Sequence, residues 1–140
     1  MQGLHLTADL HDCHCEPQWL TDSALLGEHC RQAVAGAGLQ AVAHVFHAFP
    51  ATAQGPGGVT ATVLLAESHL CVHTWPEQNA VTLDVYVCNF GGDNAAKAHA
   101  LMTAMTGLFH PGHVERQALQ RGQIASLLPL RRMAGMSVKG

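Results

Sequence analysis

The chain has 140 residues, 48% of them hydrophobic and 12% charged, with a formal net charge of −3. That length suits one domain with a real core; low charge with high apolar content excludes disorder, and nothing basic invites nucleic acid. The 11 histidines and five cysteines stand out, and point to a metal protein or a proton-handling enzyme.

Residues 3–12 alternate, with Leu4, Leu6, Ala8 and Leu10 against His5, Thr7, Asp9 and His11, which predicts a half-buried strand. Thr21, Asp22 and Ser23 offer caps to a helix reaching about Ala37, with Leu26, Cys30, Ala33 and Ala37 as its apolar stripe. A strand over 40–47 leads into residues 50–58, whose prolines and glycines predict a loop without regular pairing. Val59 to Ala66 reads as a central strand, interrupted at Glu67-Ser68-His69 and resumed from Leu70 to Trp75, where Pro76 stops it. In the next strand Val81, Leu83, Val85 and Val87 share one face, and Thr82, Asp84, Tyr86 and Cys88 the other. A polar second face on such a strand predicts a site or an interface. After a turn at Asn89–Gly92, Asp93 caps a second helix through about Gly107, and a last strand spans about 113–119. The order β-α-β-β-β-β-α-β predicts an α+β fold, a two-layer sandwich. Two helices cover one face of a mainly antiparallel sheet, and the other face is left for a dimer interface or an active site. Residues 1–122 form the expected domain and 123–140 a C-terminal tail.

No apolar run is long enough to cross a bilayer, and the first residues, Met1 to His5, do not have a secretory-signal pattern. Five cysteines cannot all pair, and no Cys-x-x-Cys occurs, so reduced thiols in a cytoplasmic protein are expected. His11, Cys13 and Cys15 fall on one strand face if the alternation continues, a conceivable metal cluster whose ligand spacing is narrower than structural zinc sites prefer.

The segment Glu67-Ser68-His69-Leu70-Cys71-Val72-His73-Thr74-Trp75-Pro76-Glu77 concentrates a hydroxyl, two imidazoles and two carboxylates. A nucleophile and a base close in sequence point to covalent chemistry, while a hydrogen-bonded turn between two core strands would also account for them. There is no Gly-x-Ser-x-Gly elbow.

That segment closely resembles the self-cleavage motif of the short prokaryotic S-adenosylmethionine decarboxylases, pyruvoyl-dependent enzymes of spermidine synthesis. The likeness extends to Gly3-x-His5-Leu6, Phe46-His47-x-Phe49, Asp84 with Cys88, and the strand from Val114 to Gly122. It implies that Ser68 attacks the carbonyl carbon of Glu67 and becomes a pyruvoyl group, which then holds the substrate amine as a Schiff base. It further implies His73 as the acid/base of processing, Thr60 as a processing aid, and Cys88 as the proton donor after decarboxylation. Phe49 is implied as the adenine-stacking aromatic and Glu77 as the ribose-binding carboxylate. The expected cofactor is this pyruvoyl group with no metal, the expected substrate S-adenosylmethionine, and the expected assembly a homodimer with shared sites. Three departures bear on specificity. Eight residues, 50–57, replace a short link; Thr60-Ala61 stands for a Ser-Gly pair; and Asp9-Leu10-His11 stands for Glu-Phe-Tyr. They leave two alternatives: a pyruvoyl decarboxylase of ornithine or arginine, and an unprocessed, non-catalytic or metal-binding relative.

Overall fold

Alternation of apolar and polar residues builds the strands, and in the computed structural model, which describes residues 2–89 and 92–122, one parity faces helices throughout. The expected C-terminal tail lies outside the described residues, as does the centre of the Asn89–Gly92 turn. Six strands pair, all antiparallel: β1 (Gly3–Cys13), β2 (Ala41–Ala48), β3 (Val59–Leu65), β4 (Ser68–Trp75), β5 (Ala80–Cys88) and β6 (Pro111–Arg121). Their order across the sheet is β2-β3-β4-β5-β1-β6, which puts β1, β4 and β5 side by side in the middle.

Three helices lie against one face: the single turn α1 (Gln18–Thr21), then α2 (Ser23–Gly36) and α3 (Ala95–Phe109). Asp22 caps α2, its carboxylate accepting from the Leu25 amide at 3.0 Å. The buried stripe of α2 is Leu26, Gly27, Cys30 and Val34, so the inward face centres on Val34 and leaves Ala33 and Ala37 at its margin. Gly27 is required there, because an added Cβ would come 2.2 Å from the Phe46 ring. The N-cap of α3 is Asn94 rather than Asp93; Asp93, one residue earlier, accepts from the Ala95 amide at 2.9 Å. Leu10, Leu26, Leu70, Leu101, Met105 and Phe109 are fully buried between sheet and helices. Each contributes on the order of 1.5–3 kcal/mol of apolar burial, which is what holds the two layers together.

Among the described residues, the other face carries no helix. By strand parity it presents His5, Thr7, Asp9 and His11 from β1, and His69, Cys71, His73 and Trp75 from β4. Thr82, Asp84 and Tyr86 come from β5, and His47, Thr60 and Thr62 from the β2–β3 side. The two-layer α+β sandwich read from the sequence is therefore the fold observed, with the histidine-rich parity on the open side.

Two local expectations change. Residues 67–69 do not interrupt one strand: Leu65 pairs with Ser68, so β3 and β4 form a hairpin with Ala66 and Glu67 as its turn. The loop at 50–58 has pairing of its own, since Thr52 and Gly55 exchange both backbone hydrogen bonds and Phe49 N–H donates to Gly58 carbonyl.

Candidate active site

The β3–β4 hairpin sets the first part of the site. Two-residue hairpin turns favour Gly, Asn or Asp because they need left-handed backbone. Here Glu67 takes that conformation, with φ at 58°. A non-glycine residue pays roughly 1–2 kcal/mol for it, so the backbone strain falls on Glu67, immediately before Ser68. Ser68 follows as the first residue of β4, and its Oγ accepts a hydrogen bond from the Cys88 amide at 3.0 Å. Neighbouring strands β4 and β5 thus bring together two residues that are twenty apart in sequence, and Cys88 is buried there.

The second part lies at the other end of β4. Thr60 pairs with His73 across β3 and β4, and Thr60 Oγ1 is hydrogen-bonded to His73 Nδ1 at 3.0 Å. That bond orients the imidazole and leaves Nε2 for proton transfer. Below them Thr74 is buried; its hydroxyl donates to Leu20 carbonyl at 2.6 Å and accepts from Val59 amide at 2.8 Å, tying α1, β3 and β4 together. Trp75, Pro76 and a 3₁₀ turn at Pro76–Gln78 then carry Glu77 out to solvent. Phe49, 52% exposed, stands opposite at the end of β2. Phe49, Thr60, His73 and Glu77 all line one cleft of about 470 Å³, with Pro50, Thr52 and Gln54 of the loop as its outer wall. That volume lies in the range for small-molecule sites.

The two parts do not meet within one chain. Ser68 and Cys88 are absent from the cleft lining. His73 is five residues beyond Ser68 along β4, hence on the opposite face and about 17 Å away.

The middle of the open face holds a cluster with no role assigned from the sequence, although parity places its members together. Asp84 Oδ2 accepts from His5 Nε2 at 2.9 Å and from His69 Nε2 at 2.7 Å. Tyr86 stacks edge-on against His5, and Arg121 reaches back over Tyr86 from β6. Nothing in the residues around Arg121 marks it for this place.

The His11–Cys15 segment does not form the common face that alternation suggests. Asp12 has φ at 54°, which breaks the parity: His11 stays on the open side while Cys13 turns into the core. Burial, with the nearby Cys15 and Asp12, pushes the Cys13 thiol up to about 11, and burial raises Cys15 as well. Cys30, buried under α2, is pushed up to about 12 by desolvation, and burial also raises Cys71. Among the described residues, potential ligand groups converge in threes only at His5, His69 and Asp84. His44, His47, His99, His110 and His113 are exposed.

Comparison with known proteins gives the same reading from several directions. Residues 4–122 match the family model described as S-adenosylmethionine decarboxylase. An S-adenosylmethionine decarboxylase proenzyme of a Hydrogenobaculum species is 33% identical over 122 residues, covering 87% of this chain and 83% of the relative. The proenzyme of Aquifex aeolicus is 34% identical over 120 residues, covering 86% and 81%. The crystal structure of the adenosylmethionine decarboxylase from Aquifex aeolicus superposes with a TM-score of 0.75 at 32% identity, over 87% of this chain and 92% of that one. A chain matched over nearly all its described length, in sequence and in fold, belongs to the S-adenosylmethionine decarboxylase family.

Proposed function

We propose that this protein decarboxylates S-adenosylmethionine, after cutting its own chain between Glu67 and Ser68, and supplies the aminopropyl donor for spermidine synthesis in the cytoplasm. The observation that carries this reading is the bond from the Cys88 amide to Ser68 Oγ beside a strained Glu67. It supports a nucleophile held against the peptide it must attack, with the thiol of the same residue at hand.

Ser68 Oγ adds to the Glu67 carbonyl carbon and the amide nitrogen leaves, giving an ester; the left-handed turn at Glu67 relaxes as the amide breaks. Removal of the residue-68 α-proton then expels the Glu67 carboxylate, taking Oγ with it. Hydrolysis of the resulting dehydroalanine releases ammonia and leaves two chains, residues 1–67 and 68–140. The pyruvoyl group at residue 68 supplies an electrophilic ketone that takes up the substrate amine and withdraws the electron pair left by carbon dioxide. Cys88 delivers the proton to the carbon that lost its carboxylate. His73, oriented by Thr60, moves the proton during processing. Phe49 stacks on adenine and Glu77 accepts from the ribose hydroxyls, both at the mouth of the 470 Å³ cleft.

These roles need two copies. With Ser68 and Cys88 at one end of the sheet and Thr60, His73, Phe49 and Glu77 at the other, a homodimer that sets opposite ends of two sheets together brings one set against the other. Exposed Val45, Leu64 and Trp75 on the open face favour its burial. Intact mass spectrometry of the purified protein, followed by carbon dioxide release from S-adenosylmethionine, ornithine and arginine, tests the reading. Two chains and release from S-adenosylmethionine are expected; a single uncut 140-residue chain would overturn it.

A further inference from the structure

The cluster at the middle of the open face is the most connected group of side chains that the proposed reaction leaves unused. The ligand-type atoms of His5, His69 and Asp84 lie within 4.8 Å of one another, a two-histidine, one-carboxylate set that invites a metal. The placement of protons argues for a different role. Arg121 Nη1 donates to His5 Nδ1 at 3.2 Å, and a guanidinium can only donate. His5 Nδ1 therefore presents its lone pair to Arg121, and the proton of the neutral ring sits on Nε2, facing Asp84. A metal-bound histidine is arranged the other way round, with its lone pair on the metal and its far N–H on an acceptor. Asp84 Oδ2 is thus an acceptor for two imidazole N–H groups, on a side chain only 27% exposed.

We propose that Asp84, acting through His69, is a positioning residue that holds the new chain end after self-cleavage; this rests on the functional reading above. In the intact chain residue 68 is held covalently on both sides, and a third time by Ser68 Oγ on the Cys88 amide. Cleavage removes two of these three, because Oγ and the link to Glu67 leave together. Residue 68 is then attached covalently only through the amide of His69, and its pairing with Leu65 loses the residue-68 N–H. The first side-chain anchor behind it is the 2.7 Å bond from His69 Nε2 to Asp84, which lies on β5, the strand that carries Cys88. Tyr86, paired with both His69 and His5, packs against the two rings and confines them. Arg121 and His5 support Asp84 from behind by fixing the second donor. With the turn at Glu67 cut, the β3–β4 and β4–β5 ladders still hold β4 from His69 onward, and the clamp adds a side-chain tie that fixes the chain end relative to Cys88.

Asp84→Asn, which keeps the shape and removes the charge, is made in the native chain and in an uncleaved Ser68→Ala chain. Amide hydrogen exchange over residues 69–71, with kcat and KM for S-adenosylmethionine, is then measured. Losing a charge-assisted bond is expected to speed exchange about tenfold or more in the cleaved protein, and to change it by less than about twofold in the uncleaved one. kcat is expected to fall about tenfold with KM nearly constant, since positioning acts on the reacting geometry. Equal effects in both backgrounds, or none in either, overturn the proposal, as does stoichiometric zinc binding that His69→Leu abolishes. Should Asp84→Asn fail to fold or to cleave, His69→Leu and His69→Gln take its place. Gln keeps a donor for Asp84 and is expected to restore most of what Leu loses; identical behaviour of the two overturns the clamp. A native chain that never cleaves overturns the functional reading and the clamp with it, whereas a cleaved chain indifferent to Asp84 overturns the clamp alone.

Discussion

Ser68 and His73 stand on one strand but on opposite faces of it, five residues apart. Strand geometry separates them by about 17 Å, far beyond proton-transfer reach. Their partners divide the same way: Ser68 bonds the Cys88 amide and His73 bonds Thr60, at opposite ends of the sheet. If both serve one cleavage, they belong to different copies of the chain.

Complementation between variants reads this directly. Ser68→Ala and His73→Ala are each expected to remain uncut when expressed alone. Co-expressed with distinguishable tags, they are expected to form mixed dimers in which the His73→Ala chain keeps its serine and borrows the partner's imidazole. Intact mass is then expected to show cleavage of the His73→Ala chain only. Its absence in a confirmed mixed dimer would place both groups in one chain.

In the proposed reaction Cys88 separates the two stages of the chemistry. Its amide, not its thiol, contacts Ser68 Oγ in the uncut chain, so Cys88→Ala keeps that bond. Cleavage is therefore expected to go to completion, while kcat drops about a hundredfold or more for want of a placed proton donor. A Cys88→Ala protein that turns over at the native rate would remove the thiol from the mechanism.

Thr74 is a structural hinge beneath the cleft, serving the Val59 amide and the Leu20 carbonyl at once. Thr74→Val is nearly isosteric but orphans a buried N–H and a buried carbonyl, which costs about 2–4 kcal/mol. Thr74→Ser retains both bonds and is expected to lose about 1 kcal/mol, for the missing methyl. Urea unfolding midpoints of the two variants check the difference.

His29 packs edge-on against Trp19, and burial lowers its affinity for protons below the ordinary value of 6.5. The unfolded chain then binds the proton more readily, so this residue's contribution is intact above pH 6.5 and is lost as the pH falls through that value towards the lowered one. Replacing His29 with Gln is expected to flatten the loss of stability between about pH 7.5 and pH 5 relative to the native protein. Parallel urea titrations at the two pH values measure it; an unchanged slope would mean that His29 titrates normally.

Much of the fold is legible in the chain. The apolar parity of β1 and β5 dictates which side meets the helices, because a strand's side chains alternate strictly. Asp22 and the glycines near residue 37 bound α2 in the same local way. The misreadings occur where a single backbone angle decides. Alternation continues on paper through Asp12, but its positive φ turns Cys13 inward and dissolves the His11–Cys15 face. Likewise Glu67-Ser68-His69 looks like a break in one strand, whereas left-handed Glu67 makes it the turn of a hairpin.

The chain by itself determines the motif to which the proposed chemistry is assigned, Glu67 to Glu77 with Cys88, and the parity that leaves one face of the sheet polar. Only the tertiary structure decides which of those residues meet, because strand pairing brings together positions that sequence holds far apart. It joins Ser68 to Cys88, and His5 to Asp84 and His69, while parting Ser68 from His73. Part of the histidine excess has the same origin. His5, His11, His47, His69 and His73 share the open face because the described helices cover only the other one.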